Sequence, residues 1–310
     1  MARKIAYLTD FLSDGMGYTE NCLPPTLQKL GYEVQVFCSG LQVYGTSTGY
    51  DANYGAFLGP RAIPSGSYVY RGVQVNRLAH KRVGRYMDLP GLVAALHRFG
   101  PDIVQVNAPV SPVAIRVALA HASWKLYTEC HQHLSVVAPL GVWSSTPVQL
   151  SRLLAYKLTR TLPGRLVAAR TVAYFAIAPD CATVVTSHYG VPAEKIVQMP
   201  LGTDTVMFHA VHSIEERRVR APLCLSWGVG DDCVVVVYSG RLSKAKSSML
   251  LGQAVQRKAK AGERIMGVVV GAGEETTALA RMASCRILSF AKHDSLAEID
   301  RAADIGAWPA

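Results

Sequence analysis

The chain has 310 residues, half of them apolar, which is enough to bury a sizeable core and suggests two domains. Its net charge of +10 calls for acidic partners, and nucleic acid, anionic lipid and nucleotide-sugar phosphates all meet that demand, so charge alone does not choose among them. Seven cysteines, at positions 22, 38, 130, 181, 224, 233 and 285, form no C-x-x-C pair; this argues against a disulfide framework or a zinc ribbon and reads as ordinary buried thiols in a reducing cytosol.

Met1-Ala2-Arg3-Lys4 starts like the basic segment of a signal peptide, yet Thr9-Asp10 and then Asp14 interrupt the apolar stretch too early for a signal core. No apolar run reaches membrane-spanning length. The expectation is a cytoplasmic protein, soluble or peripheral at the inner face of a membrane.

In chain order, residues 4–9 read as a first strand, and residues 13–18, with Gly15 and Gly17, as a loop toward a helix that begins near Glu20. Pro24 and Pro25 are expected near its first turn, where a missing amide costs least, and Gly31 ends it. Residues 33–39 form the second strand. A dinucleotide-binding unit would require G-x-G-x-x-G and an acidic residue closing that strand, whereas it closes on Phe37-Cys38-Ser39. Residues 40–66, rich in Gly, Ser, Tyr and Pro, read as a long functional or mobile loop. Residues 68–77 alternate about Arg71-Gly72 as a hairpin, and His80, Lys81, Arg82 and Arg85 form a basic face, solvated or bordering an acceptor. A helix over 90–99, a strand over 102–107 and a helix over 112–121 follow.

The strand over 124–129 exits into Cys130-His131-Gln132-His133. A zinc site would need a second ligand pair at metal spacing, and the chain offers none, so no metal is expected; a histidine that merely caps the strand is the plainer reading. Residues 147–174 are apolar and basic, with Arg152, Lys157, Arg160, Arg165 and Arg170, and Pro163-Gly164 is expected to split them into two helices. A solvated helix packed on the sheet is favoured there, and contact with an anionic membrane is the alternative. Residues 177–185 end the first half, and a linker over 208–225 carries the charge run Glu215 to Arg220.

A second unit then reads as a strand over 233–239, a helix over 247–261, a strand over 265–271 and a helix over 274–284. Val234 to Tyr238 is a continuous β-branched and aromatic run of the buried parallel type, and Ser239-Gly240 closes it with small residues that let a ligand approach the backbone. Arg241, Lys244 and Lys246 follow at once, a cation set suited to a diphosphate at the carboxyl end of a parallel strand, although a solvated basic turn has the same spacing.

The segment Ser239-Gly-Arg-Leu-Ser-Lys-Ala-Lys246 resembles the donor-site turn of the GT-B glycosyltransferases of family 4, in which a Gly-Arg pair and a lysine five residues on grip the nucleotide-sugar diphosphate. Lys195 to Phe208 resembles the family's crossover between domains, and Ser295 to Pro309 its helix and strand before the donor carboxylates. The three lie in family order over most of the chain. The resemblance implies an α/β protein of the GT-B fold, with two Rossmann-like domains facing across a cleft: an acceptor-side domain over 1–207 and a donor-binding domain over 208–310, the second incomplete.

It implies transfer of a hexose from a nucleotide diphosphate sugar to a hydroxyl with retention, and no cofactor. Arg241 and Lys246 would stabilise the departing diphosphate, since no Asp-x-Asp occurs to hold a metal. His131 would hydrogen-bond the donor sugar or the acceptor, Gly15, Gly17 and Gly240 would lie at the donor phosphates, and Gly271 and Gly273 would lie beside the nucleotide. Residues 286–290 with His293-Asp294 would receive the base. The acceptor would be a sugar, a lipid-linked group or another small molecule, and not nucleic acid. Because the chain stops at Ala310, impaired transfer is expected, with loose packing over 265–271 and 303–308. Two alternatives stand beside this reading: a nucleotide-sugar epimerase of the same fold, and a non-catalytic nucleotide-binding remnant.

Overall fold

A computed structural model describes residues 2–84, 86–120, 122–134, 151, 154–211, 213, 220–230 and 232–309. The chain divides into two compact units: Met1–Asp14, Tyr18–Ser47 and Pro60–Gly202 form the first, and Gly15–Gly17, Thr48–Gly59 and Thr203–Ala310 the second.

The first unit contains β1 (Lys4–Leu8), β2 (Glu33–Ser39), β3 (Gly66–Tyr70), β4 (Val73–Leu78), the short ribbon β5 (Lys81–Val83) and β6 (Tyr86–Asp88), then β7 (Ile103–Val106), β8 (Lys125–Cys130), β9 (Thr171–Ala176) and β10 (Ile196–Gln198). An eight-stranded sheet has the order β10-β9-β8-β7-β1-β2-β4-β3. Every pairing in it is parallel except β3 against β4 at the edge. Both faces of such a sheet must be covered. On β1, Ala6 and Leu8 join Phe37, Leu96, Val104 and Val117 on one side, while Ile5 and Tyr7 join Val34, Val36 and Val75 on the other. Helices complete the layers. Ser111 caps the helix Pro112–Leu119 by accepting from the Ala114 amide at 3.1 Å, and left-handed Gly100 closes the helix Leu92–Phe99.

The second unit repeats the plan on a smaller scale. After the helix Arg220–Ser226 come β11 (Val234–Ser239), the helix Ser248–Lys260, β12 (Ile265–Val270), the helix Thr276–Ala280, β13 (Cys285–Leu288), the helix His293–Ala302 and β14 (Ile305–Gly306). The sheet is parallel, in the order β13-β12-β11-β14. The valine run of β11 alternates between two apolar layers: Val235 and Val237 pack with Trp227, Val268 and Ile299, and Val236 and Tyr238 with Leu251, Val255 and Leu279. In each sheet the order reverses beside the first strand, at β1 with β7 and at β11 with β14, and in open α/β sheets ligands bind at such a switch point, outside the carboxyl ends of the strands.

Several expectations are corrected. The helix Thr19–Lys29 starts before Glu20, so Pro24 and Pro25 lie inside it rather than in its first turn. Residues 40–66 are not structureless: they hold the one-turn helices Tyr50–Asn53 and Gly55–Leu58, anchored by buried Tyr50, Tyr54 and Leu58. Pro163-Gly164 does not break a helix. A π-turn over Lys157–Thr161 shifts the hydrogen-bond register just ahead of Pro163, which lacks an amide to donate, and the helix Leu162–Arg170 continues through both residues. Gly164 is small because a Cβ there would stand 2.7 Å from the Tyr189 ring. Thr171 to Tyr174 belong to β9, not to a helix. The loose packing expected over 265–271 is also overturned: β12 lies between β11 and β13, with Val268, Val269 and Val270 buried. Arg85, His121, Arg152 and the charge run from Glu215 to Val219 lie outside the described residues.

Asp10 stands just past β1 and is 7% exposed. Burial pushes its carboxyl up to about 7, opposed by one hydrogen bond from the Met87 backbone. The folded chain therefore keeps a proton that the unfolded chain, with a carboxyl near the ordinary value, loses from about pH 4 upward. The stabilisation from this group is complete below about pH 4 and is lost as pH rises to about 7, a loss of a few kcal/mol at about 1.4 kcal/mol per pH unit. Asp10→Asn is expected to match the parent in thermal melts at pH 4 and to exceed it at pH 8. Parallel melting profiles for the two chains across that range would refute this account of Asp10.

Candidate active site

In the second unit two loops are joined backbone to backbone. The amide of Gly240 donates to the Val270 carbonyl at 2.9 Å, that of Leu242 to Ala272 at 3.0 Å, and that of Glu275 to Leu242 at 3.1 Å. The approach is close enough to fix the residue type. A Cβ on Gly271 would lie 1.9 Å from the Gly240 carbonyl oxygen, and one on Gly273 would lie 2.2 Å from that of Leu242. Neither contact can be relieved by a side-chain rotation, because both neighbours are main chain.

Side chains extend the join. The Lys244 amide donates to Glu274 at 3.2 Å, and Glu275 accepts from the Met249 amide at 3.2 Å and from the Ser248 hydroxyl, tying the start of the helix Ser248–Lys260 to the loop after β12. Tyr238 donates to the Arg241 carbonyl at 3.0 Å, and the Trp308 indole donates to the Ser239 carbonyl at 3.0 Å. Arg241, Lys244 and Lys246 are exposed on this braced turn. Gly240, Arg241, Lys246, Gly271 and Gly273 are thus brought together, with the glycines contacting the neighbouring backbone and the cations facing solvent. An anion at the end of β11 would meet these charges without reorganisation of the loop.

Gly15–Gly17 also belongs to the second unit, where the Gly15 carbonyl accepts from the His293 amide at 3.0 Å. A Cβ on Gly17 would fall 2.2 Å from His293 Nδ1. Phe290, at the edge expected to receive a base, stacks on Phe57 with centroids 4.3 Å apart.

His131 lies in the first unit, immediately after β8, and its Nε2 is 2.9 Å from Glu129 Oε2. Glu129 is buried, and its other oxygen accepts from the Gln105 amide. Glu20, half-buried on the helix Thr19–Lys29, completes the group: burial pushes it up to about 7, the charge of Glu129 adding to the effect and that of His131 opposing it. Burial, with the negative charges of Glu129 and Glu20 and the approach of the Glu129 carboxylate, holds the Tyr7 phenol well above its usual range. His133 pairs instead with Asp180, Nε2 to Oδ2 at 2.6 Å. Sequence reasoning singled out His131 and did not consider the carboxylates that surround it. The available signal was a glutamate in a strand otherwise fit for burial, since an acid there must be paired or protonated.

The family model for Glycosyltransferase Family 4 matches residues 25–206. No curated protein matches the sequence. Among solved structures, the chain is similar to Alr3699/HepE of Anabaena, solved with UDP-glucose, at 17% identity over 98% of this chain and 73% of that one, with a TM-score of 0.63. It is similar to sucrose-phosphate synthase of Thermosynechococcus elongatus at 14% identity, over 99% and 75% of the two chains, with a TM-score of 0.65. The UDP-GlcNAc 2-epimerase of Neisseria meningitidis, solved with UDP-GlcNAc, is more distant at 11% identity, over 99% and 77%, with a TM-score of 0.50. At these identities the likeness is one of fold, the GT-B fold of glycosyltransferases. The family match spans more than half of the sequence, and the chain belongs to Glycosyltransferase Family 4.

Proposed function

We propose that the chain transfers a hexose from a nucleotide diphosphate sugar to an acceptor hydroxyl, with retention of anomeric configuration. The observation that carries this reading is the braced turn after β11, where Arg241 and Lys246 stand on a backbone held by Gly271 and Gly273. Chemically, glycosyl transfer develops negative charge on the leaving diphosphate, and fixed cations there lower the barrier more than mobile ones. They supply the stabilisation that a divalent metal supplies in other transferases. His131, held at the end of β8, hydrogen-bonds a hydroxyl of the donor sugar or of the acceptor. Membership of the family favours transfer over the epimerase alternative.

The acceptor is reached at a membrane surface. Leu154, Leu158 and Leu162 are 58%, 56% and 61% exposed and recur every four residues, with Lys157, Arg165 and Arg170 exposed beside them. No helix among the described residues is long and apolar enough to cross a membrane. An apolar row flanked by cations suits a helix lying in the interface of an anionic bilayer, and a lipid-linked acceptor would be found there.

With UDP-glucose as donor and a panel of hydroxyl acceptors, Arg241→Ala is expected to raise the barrier by about 3 to 4 kcal/mol, a loss of two to three orders of magnitude in turnover. Unchanged turnover would remove the diphosphate role, and UDP binding without transfer by the parent chain would favour the nucleotide-binding remnant. His131→Ala should lower turnover more than donor affinity; a defect confined to folding would return His131 to a strand cap. For the membrane surface, Leu158→Asp with Leu162→Asp should weaken binding to phosphatidylglycerol vesicles, each leucine contributing roughly 0.7 to 1.5 kcal/mol at half burial. Equal flotation of parent and variant with those vesicles would exclude this helix as the contact.

A further inference from the structure

We propose that Glu129 is a positioning residue that fixes the tautomer of His131, so that the exposed ring presents Nδ1 as a proton-free acceptor for a hydroxyl. The inference rests on the transferase reading for the identity of that hydroxyl and on geometry for everything else.

The carboxylate is confined. Glu129 side-chain exposure is 5%, and both oxygens are taken, Oε1 by the Gln105 amide and Oε2 by His131 Nε2 at 2.9 Å. A carboxylate accepts hydrogen bonds, so in the neutral ring the proton sits on Nε2. That leaves Nδ1 without a proton, and it has no hydrogen-bond partner among the described residues. The ring remains one-third exposed, so Nδ1 can be reached from outside.

The surroundings limit what can bind there. Glu20 on the helix Thr19–Lys29 and Tyr7 on β1 border the same carboxylate. With the Glu129 carboxylate beside the ring, a carboxylate or phosphate on the ligand would meet like charge, and Nδ1 has no hydrogen to donate to one. A neutral hydroxyl, which can donate to Nδ1, fits both constraints. The site therefore selects for a hydroxyl at this point of the sugar or the acceptor, and Glu129 exerts that selection through His131 without touching the ligand.

The test reads the ring directly. In ¹⁵N NMR of the full chain, at a pH where the ring is neutral and with the His131 signal identified by its loss in His131→Gln, the proton is expected on Nε2. Glu129→Gln keeps the shape but can place an amide donor against Nε2, and it should move the proton toward Nδ1. Turnover with UDP-glucose should fall on the order of tenfold or more, as when an orienting partner of a reactive histidine is removed, with donor KM within about twofold. Glu129→Gln combined with His131→Ala should be no slower than His131→Ala alone. A ring protonated on Nδ1 in the parent chain, an unchanged tautomer in Glu129→Gln, or multiplying losses in the double variant would each overturn the proposal. If Glu129→Gln does not fold, the parent spectrum still decides. A chain that transfers no sugar yet shows the Nε2 proton and its shift in Glu129→Gln would sink the transferase reading and leave the positioning role standing.

Discussion

The second unit depends on the Gly240 carbonyl lying in the space that a side chain on Gly271 would occupy. This contact lets the turn after β11 be hydrogen-bonded to the loop after β12 from the Gly240 amide through to Glu275. With the main chain braced at each step, the cations between these points are carried on a rigid support. A flexible basic turn would lose ordering entropy each time it gathered around an anion, whereas a pre-formed one loses little. Gly271 and Gly273, expected beside a nucleotide, thus have a structural reason to be glycine that holds without any ligand.

The two units use opposite electrostatics at corresponding places. At the end of β11 the exposed groups are Arg241, Lys244 and Lys246, and the nearby acids, Glu274 and Glu275, accept from backbone amides and a serine hydroxyl. At the end of β8 buried Glu129 stands with Glu20 and His131, and past β1 buried Asp10 stands apart from them. Burial raises the cost of charge on an acid, and a neighbouring carboxylate raises it further. Such a cluster suits neutral, hydroxyl-rich ligands, as the cationic turn suits a polyanion.

Much of this was legible in the residues. The run Val234 to Tyr238 signals a doubly buried parallel strand by its unbroken β-branched composition, and the strand it forms is the one expected, within one residue. The exposure of Arg241 and Lys246 at the end of that strand was likewise expected from cations placed directly after a glycine, a spacing that a solvated basic turn shares. The errors also have physical causes. Pro163-Gly164 normally punctuates a helix, but a π-turn removed the need for the missing amide and Tyr189 required the glycine. Residues 40–66 carry turn-forming composition, and only tertiary burial of Tyr50 and Tyr54 stabilises one-turn helices too short to stand alone. Glu129 was passed over because pattern reasoning treats a charged residue in a strand as a solvent-facing position, and its partners Gln105 and His131 come from a neighbouring strand and from two residues downstream.

The distance between fold and sequence likeness follows from the same division of labour. With 14% identity to sucrose-phosphate synthase over nearly the whole chain, few side chains coincide, yet the likeness of fold holds at a TM-score of 0.65. Apolar layers tolerate exchange among residues of similar volume, so most core positions contribute little to identity. Main-chain contacts such as Gly240 with Gly271, and Leu242 with Gly273, allow no such exchange, because no side chain larger than hydrogen fits. The positions that set the backbone of the cationic turn are thus far more restricted than the core that supports it, and they lie directly beside Arg241 and Lys246. The resemblance read at residues 239–246 rests on such positions, while the family model matches a separate stretch, residues 25–206, so the two lines of likeness are independent.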